Sequence, residues 1–221
     1  MAKLHASGWL ASDALWAGLA THCTTFARTV NAQELANTVH GFAKAGRREP
    51  ALLDAIATEA VKRGLREFKP QELANTAWAY ATAGHAAPAL LDAIATEAAQ
   101  RGLRDHAAQG LANTAWAYAT ADRPAPALFG GDAFVQRCAA ERGFVPEALR
   151  QLHQWQLWQE ERGAAWPPLP PELAQRCRAA FCQEEGVPSR LQRDVAASLS
   201  ALGLAPREEV RPPCETTASR L

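Results

Sequence analysis

Apolar residues along the chain return at intervals of three and four, the spacing that sets one side of a helix against a core. Leu73, Ala77, Tyr80 and Gly84 make one such stripe, and Leu90, Ile94, Ala98 and Ala99 make another just downstream. Gly84 closes the first run, Pro88 opens the second and Gly102 closes it. Proline in a first helical turn sacrifices no hydrogen bond, and glycine just past the end can take the left-handed conformation that stops a helix. The pattern predicts a hairpin of two helices, A from about Pro70 to Ala83 and B from Pro88 to Gly102. No strand longer than a bridge is expected.

The hairpin repeats. Gln33-Glu34-Leu35-Ala36-Asn37-Thr38 returns as Gln71-Glu72-Leu73-Ala74-Asn75-Thr76, and again as Gln109-Gly110-Leu111-Ala112-Asn113-Thr114, each 38 residues after the last. Pro50, Pro88 and Pro126 keep the same beat, and the run from Pro50 to Ala60 recurs word for word from Pro88 to Ala98. A fixed period of this length marks units that cannot bury their apolar faces alone and must stack. The predicted fold is therefore all-α, a solenoid of stacked helical hairpins with a C-terminal helical extension.

Residues 1–29 form a degenerate N-terminal capping region, with Leu15 to Arg28 as a worn helix B. Residues 30–144 hold three full repeats. Residues 145–205 make the C-terminal helical region: Pro146 to Gly163 as an altered helix A, then Pro171 to Glu185 and Ser189 to Leu202. Residues 206–221 turn polar and are expected to be loose. Met1 is the sole methionine and the residues after it read as interior sequence, as in a gene model that starts late.

Composition narrows the function classes. The 221 residues carry 23 basic and 23 acidic side chains, so bulk charge does not drive nucleic-acid binding; placement of the bases must. No apolar run is long enough to span a membrane. The five cysteines are scattered and form no CxxC, which supports neither a zinc site nor a disulfide framework; Cys177 and Cys182 read as small apolar residues. No nucleophile–base pair, metal-ligand set or phosphate loop emerges, so the chain is expected to bind without catalysing, with no cofactor, metal or small-molecule substrate.

The 38-residue hairpin carrying Gln71-Glu72-Leu73-Ala74-Asn75-Thr76-Ala77-Trp78-Ala79-Tyr80-Ala81 resembles the octotricopeptide repeat of algal and protist organelle proteins. It is also similar to the leucine-rich region of FAST-kinase-like mitochondrial proteins. Gln151 to Trp158, Pro171 to Phe181, Pro188 to Val195 and the stretch to Val210 resemble the segment that precedes a RAP domain in such proteins. The resemblance implies single-stranded organelle RNA as partner, in RNA processing, stability or translation, and a mitochondrial or chloroplast location; no clear transit peptide is present. Where the family continues into the RAP domain, this chain ends in Arg211 to Leu221. A non-catalytic protein–protein scaffold is the alternative.

Several residue ladders follow the period. Asn37, Asn75 and Asn113 could read base edges, but their identity in every unit favours a role in holding the stack in register. Trp78 and Trp116 could stack on bases, but the first unit has His40 at that register, and they are assigned to the core. Glu34, Glu72 and Gly110 at one register, with Lys44, Thr82 and Thr120 at another, vary between units and are specificity candidates on a shared face, with unselected drift on a solvated face as the competing reading. Arg28, Arg66, Arg104 and Arg142 fall just after each helix B, and Arg47, His85 and Arg123 just after each helix A. Both ladders, with Lys44, are candidate RNA contacts through phosphate; the competing role is capping of helix ends. Trp155 and Trp158, beside His153, read as packing for a terminal helix.

Overall fold

The computed structural model describes residues 13–182, and every regular element among them is an α-helix. The elements in chain order are α1 (Asp13–Phe26), α2 (Ala32–Lys44), α3 (Pro50–Arg63), α4 (Pro70–Ala83) and α5 (Pro88–Arg101). They continue with α6 (Ala108–Thr120), α7 (Pro126–Phe129), α8 (Ala133–Ala140), α9 (Pro146–Glu161) and α10 (Pro171–Cys182). Helices α2, α4, α6 and α9 are the A helices and stack in sequence order as one layer, which α10 extends beside α9. Helices α1, α3, α5 and α7 form the B layer, touching one another over fewer positions. The expected helix from Ser189 and the tail after Pro206 lie outside the described residues.

Three details bind the helices to one another. Tyr80 on α4 donates its hydroxyl to the Leu53 carbonyl of α3 at 2.7 Å, and Tyr118 on α6 repeats this to Leu91 of α5 at 2.6 Å. Both rings are fully buried, and burial pushes both phenols above their ordinary pKa. The alanines of the A helices bring the helices close: Ala74, Ala77, Ala79, Ala112, Ala115 and Ala117 are all fully buried. Leu35, Val39 and Phe42 of α2 belong to the same core as Leu52, Leu53 and Ile56 of α3.

The third unit departs from the first two. Its helix B is broken into α7 and α8 at Gly130 and Gly131. A Cβ on Gly130 would sit 2.5 Å from the Pro126 carbonyl oxygen, so only glycine fits that break. At the end of its helix A, Asp122 (φ 48°) stands where Gly46 and Gly84 take the left-handed turn (φ 68° and 61°). Aspartate tolerates this conformation better than most residues. Its carboxylate accepts from Trp158 Nε1 at 2.8 Å and pairs with Arg162, which ties α6 to α9. Those two hydrogen bonds hold the Asp122 carboxyl below the usual range. Trp155 is fully buried against Phe129 and Phe134, so both tryptophans pack the end of the stack as expected. Cys177 is a buried free thiol, whereas Cys182 is disulfide-bonded, which corrects its reading as a plain apolar residue.

Candidate nucleic-acid interface

At about 100° per residue, the A helix divides into four stripes. In α2, Leu35, Val39 and Phe42 face the B layer. Ala32, Ala36 and Ala43 face the following A helix, and Thr38 and Gly41 face the preceding side. Gln33, Asn37, His40 and Lys44 are left on the side away from the B layer. This open side recurs in each unit and carries two ladders.

The first is made of amides. Asn37 is exposed, Asn75 half-buried and Asn113 buried. Asn113 Oδ1 accepts from Gln109 Nε2 at 2.8 Å and from Gln151 Nε2 at 3.1 Å, and Gln109 also donates to Gln151 Oε1 at 3.0 Å. Gln151 lies 38 residues after Asn113 and is the fourth rung, hidden in the sequence because the fourth unit is altered around it. At its C-terminal end the ladder thus links α6 to α9 through side-chain amides.

The second ladder is made of rings. His40, Trp78 and Trp116 follow one another with centroids 5.2 and 6.3 Å apart. Trp78 and Trp116 are half-buried, not core, which corrects their assignment. The reason is their place on the open stripe, where each packs against the core without being enclosed by it. Burial, and then the nearby Lys44 ammonium, lowers the His40 pKa and favours its neutral form. Lys44 itself is exposed.

The two arginine ladders have opposite fates. On the A-to-B edge each base pairs with an acid of the preceding unit: Arg47 with Asp13, His85 with Asp54 at 2.8 Å, and Arg123 with Asp92 at 2.6 Å. Arg47 also lies over the Trp16 ring at 5.4 Å. On the B-to-A edge Arg28, Arg66, Arg104 and Arg142 are exposed, and their side chains make no hydrogen bond or ion pair among the described residues.

Carbonyls on that edge are held instead by another ladder, Arg63, Arg101 and Arg137, which reaches the loop of the preceding unit past the end of its helix B. Arg101 donates to the carbonyls of Leu65, Arg66 and Phe68 at 3.0, 2.7 and 2.6 Å, and Glu97 holds its Nε at 2.8 Å. Arg63 does the same to Ala27 and Val30 at 2.9 and 2.5 Å, with Glu59 behind it. Arg137 reaches the His106 carbonyl at 2.7 Å, with Glu141 as its acid. The glutamate four residues before Arg63 and Arg101 was a legible signal for this clamp.

The variable positions also separate. Glu34 and Glu72 lie on the side of the helix that faces the preceding unit, and each accepts from a backbone N–H at the helix start, Asn31 and Lys69 respectively, at 2.8 Å. Ten residues fall short of three full turns by almost one residue, so this register does not share a face with Lys44, Thr82 and Thr120. Gly110 drops the cap in the third unit. Beside it, His106 occupies the place of Val30 and Phe68, 2 % exposed, with neither ring nitrogen hydrogen-bonded among the described residues. Burial first, then the Arg137 and Arg101 charges, bring its pKa down to about 4.

No group of three or more metal-ligating side chains occurs among the described residues, and no described helix is long and apolar enough to cross a membrane. No family model matches the chain, and no curated protein matches it either.

Proposed function

We propose that the chain is a helical-repeat protein that binds single-stranded RNA without catalysing a reaction, and that it serves organelle RNA processing, stability or translation, as the octotricopeptide-repeat resemblance implies. The observation that carries this reading is the half-exposed His40–Trp78–Trp116 ladder running beside the amide ladder on one open face. Aromatic rings one unit apart offer stacking platforms that accept any base. The neighbouring Gln33, Gln71 and Asn37 side chains present donors and acceptors to base edges. The arginine-bearing loops lead into the N-termini of the same helices, so phosphates following the B-to-A edge meet Arg28, Arg66, Arg104 and Arg142. Arg47, His85 and Arg123 drop out of the RNA path, because their charges are engaged between units.

The test is filter binding of the full chain to RNA homopolymers across a salt series. Replacing Arg66, Arg104 and Arg142 with glutamine is expected to weaken binding at least tenfold, to flatten the salt dependence and to leave Tm unchanged. Trp78→Leu is expected to weaken binding at every salt concentration. RNA affinity unmoved by both sets would overturn the reading. The neutral balance of charge favours a protein–protein scaffold as the second reading, and retention of a polypeptide ligand on the Trp78–Trp116 face without RNA binding would select it.

A further inference from the structure

The start of α6 differs from the starts of α2 and α4 in how its backbone is capped. In α2 and α4 the third residue is a glutamate, and its carboxylate accepts the backbone N–H of the residue before the helix, Asn31 and Lys69, at 2.8 Å. In α6 the third residue is Gly110, and the residue before the helix is Ala107, which caps nothing with its side chain. The Ala107 N–H finds no acceptor among the described residues. A helix start of this kind presents free N–H groups at the positive end of the helix dipole. No backbone requirement explains the glycine, which lies within the helix and lacks the left-handed conformation of Gly84 and Gly102. A Cβ on it would make only ordinary contacts, 3.7 Å from Ala74 Cβ and 4.0 Å from His106 Cδ2.

A second observation at the same place points to a ligand. His106 is buried, and neither of its ring nitrogens has a hydrogen-bond partner. Its Cδ2, which is bonded to Nε2, lies against Gly110, so this edge of the ring faces the first turn of α6. The charges that act on the ring are Arg137 of α8, Arg101 of α5 and Asp105 of its own loop. Two cations against one anion disfavour an imidazolium there, and for the same reason they favour an incoming anion. Arg104, two residues before His106, is exposed on the edge assigned above to RNA phosphates.

We infer that the start of α6 is a phosphate site, where an oxyanion takes the place that a glutamate carboxylate takes in α2 and α4, with the Ala107 N–H, the helix dipole and His106 Nε2 to hold it. The inference rests on the RNA reading for the source of the phosphate, which is the backbone of the strand as it passes Arg104. The third unit thereby anchors the strand. The first two units do not, because Glu34 and Glu72 already fill the corresponding places.

Titration of the full chain with inorganic phosphate, with the histidine ring protons followed by NMR, tests the site without RNA. The His106 signals are expected to shift saturably while those of His22 stay in place. Gly110→Gln and Gly110→Glu each supply an acceptor for the Ala107 N–H, so both are expected to raise Tm and to abolish the shift. The same two variants are expected to weaken RNA binding about tenfold and to lower the salt slope by about one. The neutral glutamine separates filling of the site from added charge. His106 signals that ignore phosphate, or that respond equally in the Gly110 variants, overturn the inference. A phosphate response with RNA affinity unchanged in both variants makes this a site for free phosphate only, which overturns the anchor and leaves the RNA reading intact. If the full chain binds no RNA, the proposed function fails together with the anchor, and the titration still upholds or overturns the phosphate site.

Discussion

The two edges of the helix stack carry basic residues with the same 38-residue period and use them in contrary ways. Along the A-to-B edge, Arg47, His85 and Arg123 each close an ion pair with the preceding unit. Along the B-to-A edge, Arg28, Arg66, Arg104 and Arg142 stay in solvent while Arg63, Arg101 and Arg137 hold the loop carbonyls. Periodicity thus identifies what is repeated and leaves open whether the repetition serves the stack or a partner. What separates the two is supply: Asp54 and Asp92 stand opposite one ladder. The other is made redundant by arginines a few residues upstream whose glutamates orient them.

That contrast breaks most visibly at Arg101. Arg101→Met removes every donor to three loop carbonyls and leaves Glu97 without its cation, so unfolding by urea should show a loss of about 3 kcal/mol. Arg104→Gln, three residues on, should leave the same curve where it was. Equal effects would erase the distinction between the clamping and the exposed ladder.

The next effect is smaller and depends on pH. His106 sits behind the Arg137 clamp with its pKa lowered from 6.5 to about 4, so the unfolded chain binds more protons than the folded one between those values. Its neutral burial is fully accommodated above pH 6.5 and becomes a liability as pH falls toward 4, on the order of 2 kcal/mol by pH 4.5. His106→Phe, the residue this register carries at Phe68 and Phe144, should flatten the stability profile across that window. His40 and His153, whose pKa values are also lowered, keep part of the slope in both proteins. A profile as steep as the parent's would remove His106 from the account.

Smallest is the A-to-B edge itself. Asp92→Asn breaks the bidentate contact with Arg123, yet both groups are well exposed and exposed pairs contribute little. The variant should melt only slightly earlier at low salt and together with the parent at high salt. A large, salt-independent loss would mean that this edge, not the carbonyl clamp, holds the units together.

Much of the architecture was legible because each unit spells out its own punctuation. Pro70, Gly84, Pro88 and Gly102 act within a few residues of where they stand, so helices α4 and α5 begin and end where the sequence places them. The 38-residue beat fixed the stacking order for the same reason: identical units must meet through identical faces. What a residue does between units was not legible, since it depends on what stands opposite after stacking. Trp78 and Trp116 have the composition of a core and land on the open stripe; Glu34 and Lys44 share a count of turns and land on different sides. Gln151 extends the asparagine ladder only because α9 brings it within 3.1 Å of Asn113. Local chemistry determined the helices, their caps and their repetition. Only the packed stack decided which arginine found an acid, which found a carbonyl and which remained for solvent, because those choices depend on distances across units that no single repeat contains.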